Sequence, residues 1–347
     1  MPTYKDEKTG LWYCKFVYTD WTGTRRQKKK IGFRLQKEAK EFELDFLSKS
    51  QASCDMKFRL FVDLYLEDCK ARIKVTTYPG KVNIFKQHIL PYFGELKLNE
   101  ITATTVRQWQ TKMLSSGKYK PTYLKSIHNQ LSAAFNYACN FYGLKENPAR
   151  KCGSMGKKKA DKMNFWTLDE FRAFDEAIGN KVITKTVFNL LYWSGIRSGE
   201  LLALSLRDFD FAARTVTIDK NYARLDKEDL ILEPKTPKSN RTIGIPSRVC
   251  DMVKDYASRL VDYEDGDRLF DVTKGFLYHE MKRISEQSGV KKIRIHDVRH
   301  SHASLLIELG TNILLVSERL GHEDVETTLE IYGHLYPKKD EEGAGRL

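Results

Sequence analysis

Four short stretches in the latter half of the chain hold residues able to do chemistry. In Ser194-Gly195-Ile196-Arg197-Ser198-Gly199-Glu200, an arginine sits in a glycine-flanked turn between apolar helices, with an acid three residues on. The glycines let the backbone pack closely and aim the guanidinium inward, where it is costly unless it meets an anion. That anion is either Glu200, in a structural pair, or a ligand. Lys235 stands in Pro234-Lys235-Thr236-Pro237-Lys238-Ser239-Asn240, a turn-rich stretch that reads as a hairpin tip, where many lysines only face solvent. In His296-Asp297-Val298-Arg299-His300, His296 shares a helix face with Arg299 and with His300. This superficially resembles the zinc-protease pattern H-E-x-x-H. However, Asp297 is one methylene short as a general base, and Arg299 would set a permanent cation beside a metal. Last, Leu320-Gly321-His322 is followed, ten residues after the histidine, by Tyr332 on an apolar helix, where a tyrosine is ordinarily core.

Singly these stretches are ambiguous; their order and spacing are not. A G-x-R-x-G-E turn, a hairpin lysine, H-x-x-R, L-G-H and a tyrosine ten residues further on resemble the tyrosine recombinases, or phage integrases, over residues 163–337. The resemblance implies a catalytic set of Arg197, Lys235, His296, Arg299, His322 and Tyr332, with Tyr332 as nucleophile. Lys235 would be the general acid that protonates the 5′ leaving oxygen. Glu200 and Asp297 would stand behind the set as orienters. Tyr336 is a second candidate nucleophile that the spacing from His322 disfavours. The implied activity is site-specific recombination of a phage or other mobile element, which cuts and rejoins duplex DNA through a 3′-phosphotyrosine. The implied partners are double-stranded DNA with core-type and arm-type sites, three further protomers in a tetramer on two duplexes, and an accessory DNA-bending or excision factor.

The physical logic agrees with that set. A phenol is a poor nucleophile, with a pKa of about 10, and a phosphodiester repels it. Two guanidinium forks, Arg197 and Arg299, match the non-bridging oxygens, and His322 can add a hydrogen bond. His296 can accept or return the tyrosine proton. A phosphotyrosine ester keeps the energy of the broken bond, so no ATP is needed, and no GxxxxGK[ST] loop occurs. With arginines neutralising the charge, no metal or other cofactor is expected. The rivals are a non-catalytic DNA-binding protein on the same fold, a type IB topoisomerase, and a zinc hydrolase built on His296 and His300.

Composition narrows the partner. The 347-residue chain carries a formal net charge of +13 and a pI near 9.2, which suits a polyanion, whether nucleic acid or an anionic membrane surface. The most apolar run, Val187 to Ile196, falls short of the roughly 20 residues a bilayer needs. The amino terminus, with Lys5, Asp6, Glu7 and Lys8, does not read as a signal peptide. Six scattered cysteines include no CxxC pair. A reduced, cytoplasmic, nucleoid-associated protein without a membrane partner is expected.

The elements that must carry this set are mainly α-helical with small β-sheets. Residues 1–50 read as a small three-stranded sheet plus one helix, with Trp12, Cys14, Phe16 and Tyr18 on one strand parity. Its basic run, Arg25, Arg26, Lys28, Lys29 and Lys30, would lie on a ribbon able to enter a major groove. Residues 57–148 read as helical, with apolar stripes through Phe58, Phe61, Val62, Tyr65 and Leu66, through Val106, Trp109 and Met113, and through Ile127, Leu131 and Ala134. Residues 149–162 read as an interdomain linker whose Lys157, Lys158 and Lys159 could follow a phosphate backbone. By resemblance the first two segments are arm-binding and core-binding domains, and the second grips one duplex together with the catalytic domain, residues 163–347. That last segment should open on a capping box, Thr167 to Glu170. It should hold helices at 183–193, 247–260, 296–309, 312–320 and 324–332, and short strands at Thr215–Ile218, Leu230–Glu233 and Arg241–Ile245.

Overall fold

The computed structural model describes residues 3–7, 9–19, 25–50, 54–157, 164–234 and 237–335. They fall into two compact units, residues 1–161 and 162–347. No described helix is long and apolar enough to cross a membrane.

The first unit opens on the antiparallel sheet β1 (Thr3–Lys5), β2 (Trp12–Thr19) and β3 (Arg25–Phe33), followed by α1 (Gln36–Ser50). Cys14 and Phe16 are buried with Ala39 in a small core completed by Phe33, Phe42 and Phe46. The register divides the basic run. Tyr18 faces Arg26, Phe16 faces Lys28 and Cys14 faces Lys30, whereas Thr19 faces Arg25 and Lys15 faces Lys29. Directly opposed residues share a face. Arg26, Lys28 and Lys30 therefore line the helix-covered side, and Arg25 and Lys29 the open side. Lys28 Nζ lies 4.3 Å from the centre of the Phe46 ring, and Lys29 Nζ lies 4.7 Å from that of Tyr13. The run is thus not one basic face, because strand side chains alternate.

A helical bundle follows: α2 (Phe58–Arg72), α3 (Tyr78–Ile84), a π turn at Phe85–Ile89, α4 (Leu90–Phe93), α5 (Ala103–Ser115) and α6 (Pro121–Phe141). The expected apolar stripes converge, with Phe58, Phe61, Val62, Val106, Trp109, Ile127, Leu131 and Ala134 buried in one core. The linker expected from residue 149 begins later. Pro148–Cys152 is a further turn of helix, α7, and Ala149, Cys152 and Met155 are buried in the same core. Lys157 is exposed at the end of this segment, while Lys158 and Lys159 lie outside the described residues.

The second unit begins with α8 (Leu168–Ile178), capped as expected: Glu170 N donates to Thr167 Oγ1 at 3.3 Å and Thr167 N to Glu170 Oε2 at 2.8 Å. Then come α9 (Val182–Ser194), α10 (Ser198–Leu201), the strands β4 (Phe209–Asp210), β5 (Thr215–Ile218), β6 (Asn221–Leu225), β7 (Glu228–Leu232) and β8 (Arg241–Gly244), and α11 (Ser247–Ala257). The strands do not pair as expected. β7 forms a hairpin with β6, and β8 joins β5 in a separate sheet ordered β4-β5-β8. The hairpin tip is Asp226-Lys227, both at positive φ (50° and 71°), as a two-residue turn between twisted strands requires. β7 and β8 therefore do not form the two arms of one hairpin, and Pro237–Ser239, between them, is a 3-10 turn. α12 (Lys274–Ser288) was not foreseen; it buries Leu277, Met281 and Ile284. The site-bearing helices close the unit: α13 (Asp297–Glu308), α14 (Ile313–Leu320) and α15 (Val325–Tyr332).

Candidate active site

The arginine turn is built by a glycine. α9 ends where Gly195 takes φ +68°, and a Cβ there would stand 2.4 Å from His302 Cδ2. Arg197 then caps α10. Its backbone N donates to Glu200 Oε2 at 2.8 Å, one guanidinium nitrogen donates to Glu200 Oε1 at 2.7 Å and the other to Gly321 O at 3.3 Å. The Arg197 side chain remains 34% exposed, so donors are left over for a ligand. Glu200 is buried and also accepts from Arg241 at 2.8 and 3.3 Å. Burial works to raise the Glu200 carboxyl, but the Arg241 guanidinium, helped by Arg197, holds it below the usual carboxylate value.

Arg299 reaches in from α13 and is buried. Its two terminal nitrogens donate to Gly195 O, at 2.9 Å, and to Leu320 O. Both acceptors are neutral carbonyls at helix C-termini, where a cation is favoured. Burial first, and the charge of Arg197 second, push this guanidinium below its ordinary value. His296 sits just before α13, and its ring makes no hydrogen bond among the described residues; burial first, and then the charges of Arg299 and Arg197, push it below its ordinary value. Asp297 faces neither histidine: its carboxylate accepts from Arg294 N at 2.9 Å, Nε at 3.0 Å and a terminal nitrogen at 2.7 Å, which fastens the start of the helix.

α14 ends at Gly321, φ +63°, and delivers His322, whose Nδ1 lies 2.8 Å from Thr328 Oγ1. Burial and the charges of Arg299 and Arg197 push His322 down to about 3, so the ring is neutral with one nitrogen left over. Tyr332, the last residue of α15, is 1% exposed and packs on Ala303, Ile307, Val316 and Leu320. Its hydroxyl lies 2.6 Å from His300 Nδ1. Burial raises the phenol to about 12, against the opposing pull of Arg299. Burial, and then His296, lower His300 to about 4. The His296 and His300 rings meet edge to face, 5.2 Å apart, and no third metal-ligating side chain joins them among the described residues.

The fold thus gathers Arg197, Glu200, His296, Arg299, His322 and Tyr332 around the ends of α9 and α14. Lys235 and Tyr336 lie outside the described residues. The stretch beyond Lys235 does reach the site: Lys238 Nζ donates to Glu323 O at 2.7 Å, and Arg241 Nε to Arg319 O at 2.8 Å. Residue types alone did not reveal Arg241 as the partner of Glu200, Thr328 as that of His322, or the part-buried Arg319–His302 hydrogen bond at 2.9 Å. His300 was visible on the His296 face but was weighed only as a metal ligand.

Comparison with known proteins bears on the family and the fold. The phage integrase family model matches residues 165–339, a phage integrase N-terminal SAM-like domain matches 57–114, and an arm DNA-binding domain matches 2–50. The ICEBs1 integrase of Bacillus subtilis (strain 168) is 28% identical over 338 residues, 93% of this chain and 90% of that protein. The Tn1549 transposon integrase in complex with a circular intermediate DNA superposes with a TM-score of 0.69 at 19% identity, over 82% of this chain and 97% of that one. A lambda integrase tetramer bound to a Holliday junction gives 0.58 at 17% identity, over 93% and 96%. At these identities the structural likenesses speak to the fold alone.

Proposed function

The chain belongs to the phage integrase family and is a tyrosine recombinase; within that chemistry we propose that Tyr332 is the nucleophile of a mobile-element integrase. The Tyr332 oxygen attacks the scissile phosphorus and the bond to the 5′ oxygen breaks. A 3′-phosphotyrosine forms, and the departing 5′ oxygen takes a proton from Lys235. Rejoining runs the same step backwards with the 5′-hydroxyl of a partner duplex, so no ATP enters. Arg197 and Arg299 hold the non-bridging oxygens, His322 adds a hydrogen bond, and His296, whose ring makes no hydrogen bond among the described residues, faces the same phosphate. Glu200 fixes the fork of Arg197, and Asp297 acts indirectly by anchoring the start of α13.

The observation that carries this reading is that Arg299 is buried on two neutral carbonyls beside a buried phenol. Such a cation, hydrogen-bonded to no carboxylate among the described residues, suits an incoming phosphate. Residues 1–50 are read as the arm-type DNA-binding domain, residues 57–148 as the core-binding domain and residues 163–347 as the catalytic domain. Four protomers on two duplexes, in the bacterial cytoplasm, are the working assembly. Tyr332→Phe tests the core of the proposal on a nicked suicide duplex. It should bind DNA and form no covalent complex; an undiminished denaturation-resistant band would refute the assignment, and loss of the band in Tyr336→Phe alone would transfer it to Tyr336.

A further inference from the structure

Tyr332 poses a problem that its own helix does not solve. A phenol hydroxyl 1% exposed needs an acceptor, because an unmet buried donor costs about 1–3 kcal/mol. His296 is the sequence-expected proton acceptor, yet no hydrogen bond or ring contact joins it to the phenol among the described residues. The hydroxyl instead points at His300 Nδ1, 2.6 Å away, and no other acceptor meets it among the described residues. A neutral imidazole with its hydrogen on Nε2 offers Nδ1 as that acceptor. His300 is four residues on from His296, which precedes α13; the two rings meet, and that of His300 reaches the end of α15.

We propose that His300 is the general base of this site, its Nδ1 taking the Tyr332 proton during cleavage and returning it during rejoining. The assignment rests on Tyr332 being the nucleophile. As the O–P bond forms, the phenol O–H bond breaks and its electron pair stays on oxygen. The proton moves to Nδ1, leaving an imidazolium beside the new phosphotyrosine. Geometry sets the candidate before basicity does: the base must lie within hydrogen-bond reach of the proton it removes.

The basicity follows from DNA binding. The groups that act on the His300 ring are His296, Asp297, Arg294 and Arg299 from its own helix and the segment before it, with Tyr332 and His322 reaching it from the end of α15 and the turn after α14. Burial first, then His296 and the arginines, keep the ring neutral, which is the form able to accept. A bound phosphodiester adds a negative charge that offsets those arginines and raises the ring's proton affinity as the phenol must give its proton up.

The test is the single-turnover rate of covalent complex formation on a nicked suicide duplex, at saturating DNA and across pH, for full-length protein. His300→Asn keeps an acceptor oxygen near the Nδ1 position but cannot hold the proton. It should lose cleavage by roughly 10²–10⁴, the usual worth of a general base, with DNA affinity and melting temperature little changed. Replacing Tyr332 by a trifluorotyrosine, a more acidic phenol, should restore most of that loss in the His300→Asn background. A His300→Asn protein that cleaves at the wild-type rate overturns the proposal, and so does a slow one that the fluorinated tyrosine fails to rescue. Should His300→Asn fold poorly, His300→Gln takes the same two measurements with the same criteria. Covalent complex surviving in Tyr332→Phe would instead strike the nucleophile reading, and this proposal with it.

Discussion

Gly195→Ala should damage stability and cleavage together, and its size can be worked from the turn. Gly195 holds φ +68°, a left-handed conformation that costs a residue with a Cβ about 1–2 kcal/mol. The added methyl would also lie 2.4 Å from His302 Cδ2 and 3.1 Å from Leu320 Cδ2. His302 cannot simply swing away, since it is buried and its Nε2 accepts from Arg319 at 2.9 Å. Overpacking of this kind costs about 1–3 kcal/mol. The sum, about 2–5 kcal/mol, corresponds to a fall in Tm of roughly 4–20 °C for a unit of this size. Gly195 O is also an acceptor of Arg299, so relief of the clash by backbone movement shifts the buried guanidinium. A shift near 1 Å is worth about 10²-fold in rate. Differential scanning calorimetry with the suicide-duplex assay reads both effects. A Gly195→Ala protein with Tm within 1 °C of wild type and undiminished cleavage would refute the account of the turn.

Three further expectations follow from the same packing. Glu200→Gln strands the buried Arg241 guanidinium and should cost about 3 kcal/mol or more. Because the folded Glu200 value lies below the unfolded one, its contribution is complete above the ordinary carboxyl range, about 4.3, and fades as pH falls through the lowered value. The variant should therefore show a shallower acid loss of Tm than wild type, and identical slopes between pH 5 and 3 would contradict this. Lys235→Ala should lower cleavage by roughly 10²–10⁴, and a 5′-thio leaving group, which needs little protonation, should rescue it; without rescue, Lys235 is a phosphate contact only. In the amino-terminal sheet, Lys29→Ala should reduce the salt slope of arm-type DNA binding by about 0.9. Lys28→Ala should leave that slope alone and cost about 0.5–1 kcal/mol of stability through its lost contact with Phe46. Equal effects of the two on the slope would mean that the strand does not present one face to DNA.

The legible and illegible parts of this protein divide along physical lines. Arg197, Arg299, His322 and Tyr332 could be read in advance because their residue types are conspicuous on apolar helices and their order is distinctive. Helices α13 to α15 were readable because apolar periodicity and glycine stops bound them. Strand pairing was not, since β5, β6, β7 and β8 are each four or five residues long and carry no register of their own. Only the positive-φ pair Asp226-Lys227 shows which two strands turn back on each other. α12 escaped because its buried Leu277, Met281 and Ile284 are interrupted by Tyr278, His279 and Glu280, although their spacing is helical. The early linker assignment failed because Ala149, Cys152 and Met155 are core residues set among glycines and lysines. The partner of Tyr332 was hidden for another reason: two histidines one turn apart suggest a metal until the third dimension brings a phenol to one of them.

The carbonyls that hold Arg299 and Arg197 have a consequence for the unliganded molecule. Gly195 O, Leu320 O and Gly321 O satisfy the guanidinium hydrogens but carry no net charge. Among the described residues Glu200 is the carboxylate that opposes Arg197, Arg241 and Arg299, so these like charges repel one another and are only partly cancelled. An anion that enters among these guanidinium groups offsets their repulsion. Whatever binds the folded state alone stabilises it in proportion to its concentration. The catalytic unit should therefore melt higher in sulfate than in chloride of equal ionic strength, and on the proposed reading a scissile phosphate held by Arg197 and Arg299 would gain from the same relief.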